Sequence, residues 1–183
     1  MSKLETDGID RARACLFTGH RELPREREEL EALQRKTAQA IAQAYEKGYR
    51  TFYAGGAVGF DMLSSVELLN ARIKDLPEAK LILVLPHFRH YVKWGGHDRT
   101  LFSEILRRAD GVVYIEKEYT PGCMQRRNRY MVDRASLCIC YLKKRSGGTA
   151  FTVNCAVKAG LTVVNLANGG GECGEQQSFP DEA

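Results

Sequence analysis

Short apolar and β-branched runs alternate along the chain with longer stretches of helical periodicity. Ala14–Thr18 reads as a first strand. A loop, Gly19–Pro24, leads into a helix over about Arg25–Lys47, where Leu30, Leu33, Ala38, Ile41, Ala44 and Tyr45 share a face. Gly48 stands where a helix-ending glycine belongs. Thr51–Ala54 reads as a second strand. After Gly55, Gly56 and Gly59 a helix starts near Phe60, with Met62, Val66, Leu69 and Ile73 as its apolar stripe. Leu81–Leu85 is a continuous apolar run closed by Pro86, the pattern of a strand buried on both faces. His87–His97 reads as a polar, aromatic loop over the sheet edge, ahead of a helix at about Arg99–Ala109. Gly111–Ile115, Leu137–Leu142 and Thr162–Leu166 read as three further strands. Helices at Met124–Arg134 and Thr149–Ala159 separate them, the second stopped by Gly160. From about Asn168 the periodicity ends, so a single domain over 1–167 is expected, followed by a mobile tail.

Strands alternating with helices predict an α/β, Rossmann-like fold: a mostly parallel sheet of about six strands with helices on both faces. Such sheets bind ligands outside the carboxyl ends of their strands, at a topological switch point. Four polar or glycine-rich segments follow predicted strands: T-G-H-R (Thr18–Arg21), G-G-A-V-G-F-D (Gly55–Asp61), Q-R-R-N-R-Y-M (Gln125–Met131) and S-G-G-T (Ser146–Thr149). Glycine allows close approach of a ligand to the backbone, and a helix start offers N–H donors and a favourable dipole to a phosphate. Gly55, Gly56 and Gly59 fit that role. They equally fit a tight strand-to-helix turn with Asp61 as a first-turn acid. Ser146, Gly147, Gly148 and Thr149 suit a phosphate or, alternatively, a helix cap. Arg126, Arg127 and Arg129 crowd a helix start, where the dipole disfavours cations unless an anion offsets it. A solvated basic face is the plainer alternative. Gly19, His20 and Arg21 place an imidazole and a guanidinium beside the first strand, the imidazole within the chemistry of a phosphate or ribose hydroxyl. Tyr91 and Trp94 suit either stacking on a base or covering the sheet edge.

Composition narrows the class. The 183 residues are 44% apolar and 27% charged, ordinary for one globular domain. The net charge of +4 is too mild for a dedicated nucleic-acid coat. The amino terminus lacks the apolar core of a secretory signal, and no run spans a bilayer, so a cytoplasmic protein with no membrane partner is expected. The six cysteines form no C-x-x-C pair. Cys138 and Cys140 alternate on one strand face, and the set reads as small buried residues rather than a disulfide framework. The spacing of His87, His90 and His97 is not a zinc pattern, and no metal site is expected.

In this order the segments resemble the SLOG superfamily (Smf/DprA–LOG), in particular its YpsA-like branch, over about Cys15–Leu166. The resemblance rests on T-G-H-R, G-G-A-V-G-F-D, Leu85–Pro86, Trp94, R-N-R-Y-M-V-D and S-G-G-T. It implies a nucleotide pocket built from the glycine loops, with Pro86, Arg127 and Asn128 at its rim, and pairing of two copies through helices flanking the sheet. DprA members bind single-stranded DNA. LOG members hydrolyse nucleoside monophosphates with an Arg before a Met and a Glu after a G-T pair. Arg127, four residues before Met131, matches that Arg. After Gly148–Thr149 this chain reads Ala150, Phe151, Thr152, Val153, Asn154, with no carboxylate. N-glycosidic cleavage builds positive charge on the ribose that a carboxylate offsets, so the departure speaks against LOG-type hydrolysis. Asp61 and Glu116 are the carboxylates left to substitute. The favoured expectation is therefore a sensing or regulatory module for a nucleotide-derived ligand such as ADP-ribose or NAD, with no required cofactor and nucleic acid disfavoured. A hydrolase, a single-stranded nucleic-acid binder and a cell-division or stress adaptor are the alternatives.

Overall fold

The computed structural model describes residues 8–167; the expected tail and Cys173 lie outside them. Six strands, β1 (Ala14–Gly19), β2 (Thr51–Ala54), β3 (Lys80–His87), β4 (Gly111–Glu116), β5 (Leu137–Tyr141) and β6 (Thr162–Asn165), form one sheet in the order β4-β3-β2-β1-β5-β6. Every pairing is parallel. The helices between them are α1 (Arg27–Glu46), α2 (Phe60–Lys74), α3 (Gly96–Arg108), α4 (Cys123–Asp133) and α5 (Gly148–Lys158). The α/β Rossmann-like fold expected from the pattern is the fold observed.

Side-chain alternation along the strands assigns the two cores. Cys15, Phe17, Phe52, Leu81, Leu83, Leu85 and Ile139 face α1, α2 and α3. Ala14, Leu16, Tyr53, Ile82, Val84, Cys138 and Cys140 face α4 and α5. Helix α1 enters the first core through Leu33, Ala40, Ile41 and Ala44, and α2 through Phe60, Met62, Leu68 and Leu69. Each buried Leu, Ile, Met or Phe among them contributes about 1.5–3 kcal/mol. The stripe read on α2 is cut short, because Ile73 is exposed.

Several boundaries move. β3 runs through Pro86 to His87, since β2 has already ended at Ala54 and asks no N–H of Pro86. The loop expected over His87–His97 is correspondingly shorter: His87 closes β3, and Gly96 and His97 open α3. A short 3-10 turn, Arg11–Arg13, precedes β1 with Asp10 accepting from the Ala12 N–H at 2.9 Å.

The two sheet edges are finished differently. At the amino edge, arginines meet the carboxyl ends of helices. Arg50 donates to the Tyr45 and Tyr49 carbonyls at the end of α1, and Arg72 to the carbonyl of Arg108, the last residue of α3. Arg11 bridges Ala135, just after α4, and Ala159, at the end of α5. At the carboxyl edge, α2, α3, α4 and α5 start from Gly59, Gly95, Gly122 and Gly147, and no side chain caps any of the four. Their first-turn N–H donors converge on one edge without a side-chain acceptor.

Candidate functional site

The strand order reverses between β1 and β5: β2, β3 and β4 lie to one side, β6 to the other. The crevice at the carboxyl ends of β1 and β5 is therefore the switch point. His20 stands in it. Its N–H donates to the Tyr141 carbonyl at 3.2 Å and its carbonyl accepts the Phe60 N–H at 3.1 Å. Its Nε2 accepts the N–H groups of Lys143 at 2.9 Å and Lys144 at 3.1 Å. Through these bonds the imidazole ties the loop after β1 to the loop after β5. Burial, and next the Lys144 ammonium, hold its pKa below the ordinary value.

Gly19 lets the buried Phe60 at the start of α2 pack directly on the end of β1, because a Cβ there would lie 2.6 Å from Cδ1 of Phe60. Gly59, at φ 94°, brings the start of α2 against the first loop, where a Cβ would lie 2.6 Å from the Arg21 Cα and the His20 oxygen. Gly55 is covered by charge. The Arg127 guanidinium donates to its carbonyl, and a Cβ would fall 2.6 Å from Oδ2 of Asp61. Arg127 and Asp61 are only 7% and 5% exposed. Burial raises the Asp61 pKa and the Arg127 charge opposes that; burial lowers that of Arg127 and Asp61 opposes it. The Asp61 Oδ2 also accepts the Ala57 N–H at 3.4 Å, while Arg127 Nε donates to Asn128 Oδ1 at 2.7 Å. Asp61 is thus more than a first-turn acid: together with Arg127 it braces the glycine loop. The guanidinium of Arg21, itself exposed, acts on both charges.

The three arginines of α4 divide. Arg127 is buried, Arg129 is exposed, and Arg126 binds Glu116 at 2.6 Å through Nε and also Thr120. Ser146, Gly147 and Gly148 are exposed and Thr149 half-buried, and neither hydroxyl caps α5. Lys143, Lys144 and Arg145 lie exposed immediately before them. Pro86 is buried at the end of β3.

His90 is a site residue the sequence pattern does not reveal. Its ring lies over the glycine loop with Nε2 3.3 Å from the Gly56 carbonyl. A carbonyl only accepts, so Nε2 carries the proton and Nδ1, buried and without a partner, keeps its lone pair. Burial pushes its pKa down to about 4. The only sequence signal was its place in an aromatic loop after a strand. Tyr91 and Trp94 pack with it on Phe102, covering the sheet edge. A shallow cavity of about 230 Å³ adjoins the crevice on its other side, between Pro24, Leu33, Lys36, Tyr141, Lys143 and Leu166.

The YpsA model, of the YspA SLOG family, matches residues 15–162. The chain belongs to the SLOG family. It is 28% identical, over 63% of its own length and 74% of the other's, to the uncharacterized SPbeta prophage-derived protein YoqJ of Bacillus subtilis. Its fold is similar to that of DNA processing protein A from Helicobacter pylori, at a TM-score of 0.61 and 17% identity, covering 87% of this chain and 67% of that one. The corresponding protein of Streptococcus pneumoniae gives 0.59 and 18%, covering 83% of this chain and about half (49%) of the other. The Helicobacter protein has a single-stranded DNA binding mode. The expectation against nucleic acid draws no support from these likenesses. No helix among the described residues is long and apolar enough to cross a membrane.

Proposed function

We propose that this SLOG protein is a cytoplasmic sensing or regulatory module that binds a nucleotide-derived anion, of which ADP-ribose and NAD are the representative class. The observation that carries the reading is the convergence of four glycine-started, uncapped helices on the edge that holds the switch point. The phosphates belong at the crevice beside β1, between the start of α2 and the Ser146–Thr149 start of α5. Lys143, Lys144 and Arg21 are the exposed cations there, and Arg127 acts through the glycine loop that it braces. The cavity beside Tyr141 and Lys143 offers the base or second ribose an apolar floor and a polar rim of Glu29, Lys36 and Lys143. The carboxylates left to substitute in a hydrolase are both engaged, Asp61 braced with Arg127 and Glu116 held by Arg126 and Thr120. Their engagement favours binding without turnover.

Calorimetric titration with ADP-ribose, NAD and AMP, with chromatography of each mixture, tests this. Micromolar binding without products, weakened in Gly56→Val, supports it; release of a base moves the protein to the hydrolases. A second reading has its own observation. Phe88 and Tyr119 are 47% and 66% exposed beside the exposed Arg89, Lys93 and Lys117, a combination suited to stacking and backbone contact with a single strand. A short single-stranded oligonucleotide in the same titration favours that reading if it binds with a steep salt dependence and the nucleotides do not bind.

A further inference from the structure

Three of the segments that frame the crevice meet in His20: β5 through its N–H, the start of α2 through its carbonyl, and the loop before α5 through its ring. The ring bond is the unusual one. A single nitrogen, Nε2, takes two backbone donors from consecutive residues. It must be deprotonated, and the ring proton therefore sits on Nδ1. One further proton on Nε2 turns the acceptor into a third donor and breaks both bonds at once. It also sets an imidazolium against Lys143 and Lys144. Of the other charged or titratable groups around the ring, Glu22 and Arg21 belong to its own loop and Tyr141 is the edge-on ring of β5. Phe60, from α2, is uncharged, and Asp61 beyond it is turned to Arg127 and Gly55. Glu22 alone favours the added charge, and it is exposed.

We propose that His20 is a proton-operated latch on the anion site: neutral, it holds the Lys143–Gly147 loop so that the start of α5 faces the crevice, and protonated, it releases that loop. The latch rests on the nucleotide reading for its ligand, not for its geometry. It makes His20 a positioning residue rather than a ligand, and it inverts the usual expectation for a histidine near a phosphate. An imidazolium touching the anion tightens binding on acidification, whereas a released loop weakens it.

The test uses the full chain and the variant His20→Gln, whose side-chain carbonyl accepts N–H bonds but does not titrate. Amide NMR signals of Lys143 and Lys144 are followed from about pH 8 to about pH 5 without ligand, alongside the His20 imidazole. Both amides are expected to move with the His20 titration in the wild type and to stay still in the variant. Amides that ignore the His20 titration overturn the latch. ADP-ribose, whose two phosphate charges are constant in this range, is then titrated across the same pH values. Wild-type affinity is expected to fall by up to about tenfold per pH unit below the His20 pKa, as the competent fraction falls. The variant, whatever its level at high pH, is expected to show no such slope. Affinity that rises on acidification, or that is flat although the amides titrate, removes the regulatory role. Absence of ADP-ribose binding at every pH defeats the nucleotide reading instead, and the amide titration still decides whether the latch exists.

Discussion

Gly48 and Gly59 hold almost the same backbone angle, φ 95° and 94°, but their surroundings differ. Nothing lies within 4 Å of a Cβ at Gly48, whereas one at Gly59 meets the main chain of His20 and Arg21. Gly48→Ala is expected to cost about 1 kcal/mol, from the left-handed angle alone. Gly59→Ala is expected to cost about 2–4 kcal/mol, because backbone must also move. Urea denaturation of the two variants measures the difference; equal losses would show that the two loops do not touch as described. Arg127 and Asp61 make a second residue-scale case. Arg127→Met strands a buried carboxylate and is expected to cost about 3–5 kcal/mol. Adding Asp61→Asn should recover part of that loss, which a double-mutant cycle reads directly. His90 sets a pH dependence. Its folded pKa of about 4 lies below the ordinary 6.5, so the unfolded chain takes up the proton first. The stability it contributes is complete above pH 6.5 and is lost as pH falls from there toward about 4. His90→Phe should flatten the melting temperature against pH in that window.

Element by element, the legible parts are those in which one physical signal dominates. β5 could be read because Leu137–Tyr141 is apolar on both faces, and α1 because its stripe keeps one period for about four turns. The end of β3 could not be read: Pro86 looks like a stop until the shorter neighbour β2 removes the need for its N–H. The first turn of α3 was hidden by Gly95 and Gly96, which read as loop but serve as an uncapped start. Within the site, the glycine loops and Arg127 were visible from type and position. The roles of His20 and His90 were not, since each depends on a backbone partner far along the chain, Lys143 and Lys144 for one and Gly56 for the other. No local pattern encodes such a pairing. Helix α3 also carries its own prediction. It is anchored by two buried side chains, Phe102 and Ile105, and Phe102 is the floor on which Tyr91 and the chain's single tryptophan, Trp94, rest. Phe102→Ala is expected to cost about 3–5 kcal/mol. It should also shift Trp94 emission to longer wavelength at denaturant levels where the rest of the chain stays folded.

At the scale of the whole molecule, a parallel sheet obliges all five helices to begin on one side and finish on the other. The finishing side is met by Arg11, Arg50 and Arg72, whose guanidinium groups offset the carbonyl poles there. On the beginning side Glu28, Glu29, Asp61 and Asp98 stand in the first turns of α1, α2 and α3, while α4 and α5 have no first-turn acid. The amino-terminal poles of α4 and α5 are therefore left uncompensated in the field that reaches solvent, even though the formal charge is only +4. A diffusing anion meets a molecule that draws it toward one pole and lets it turn on the way in. The benefit shows in the speed of capture rather than in the lifetime of the complex. Stopped-flow association of ADP-ribose is accordingly expected to slow markedly between low and physiological ionic strength while its dissociation rate changes little. If salt acts on dissociation instead, the charges matter through contact and not through reach.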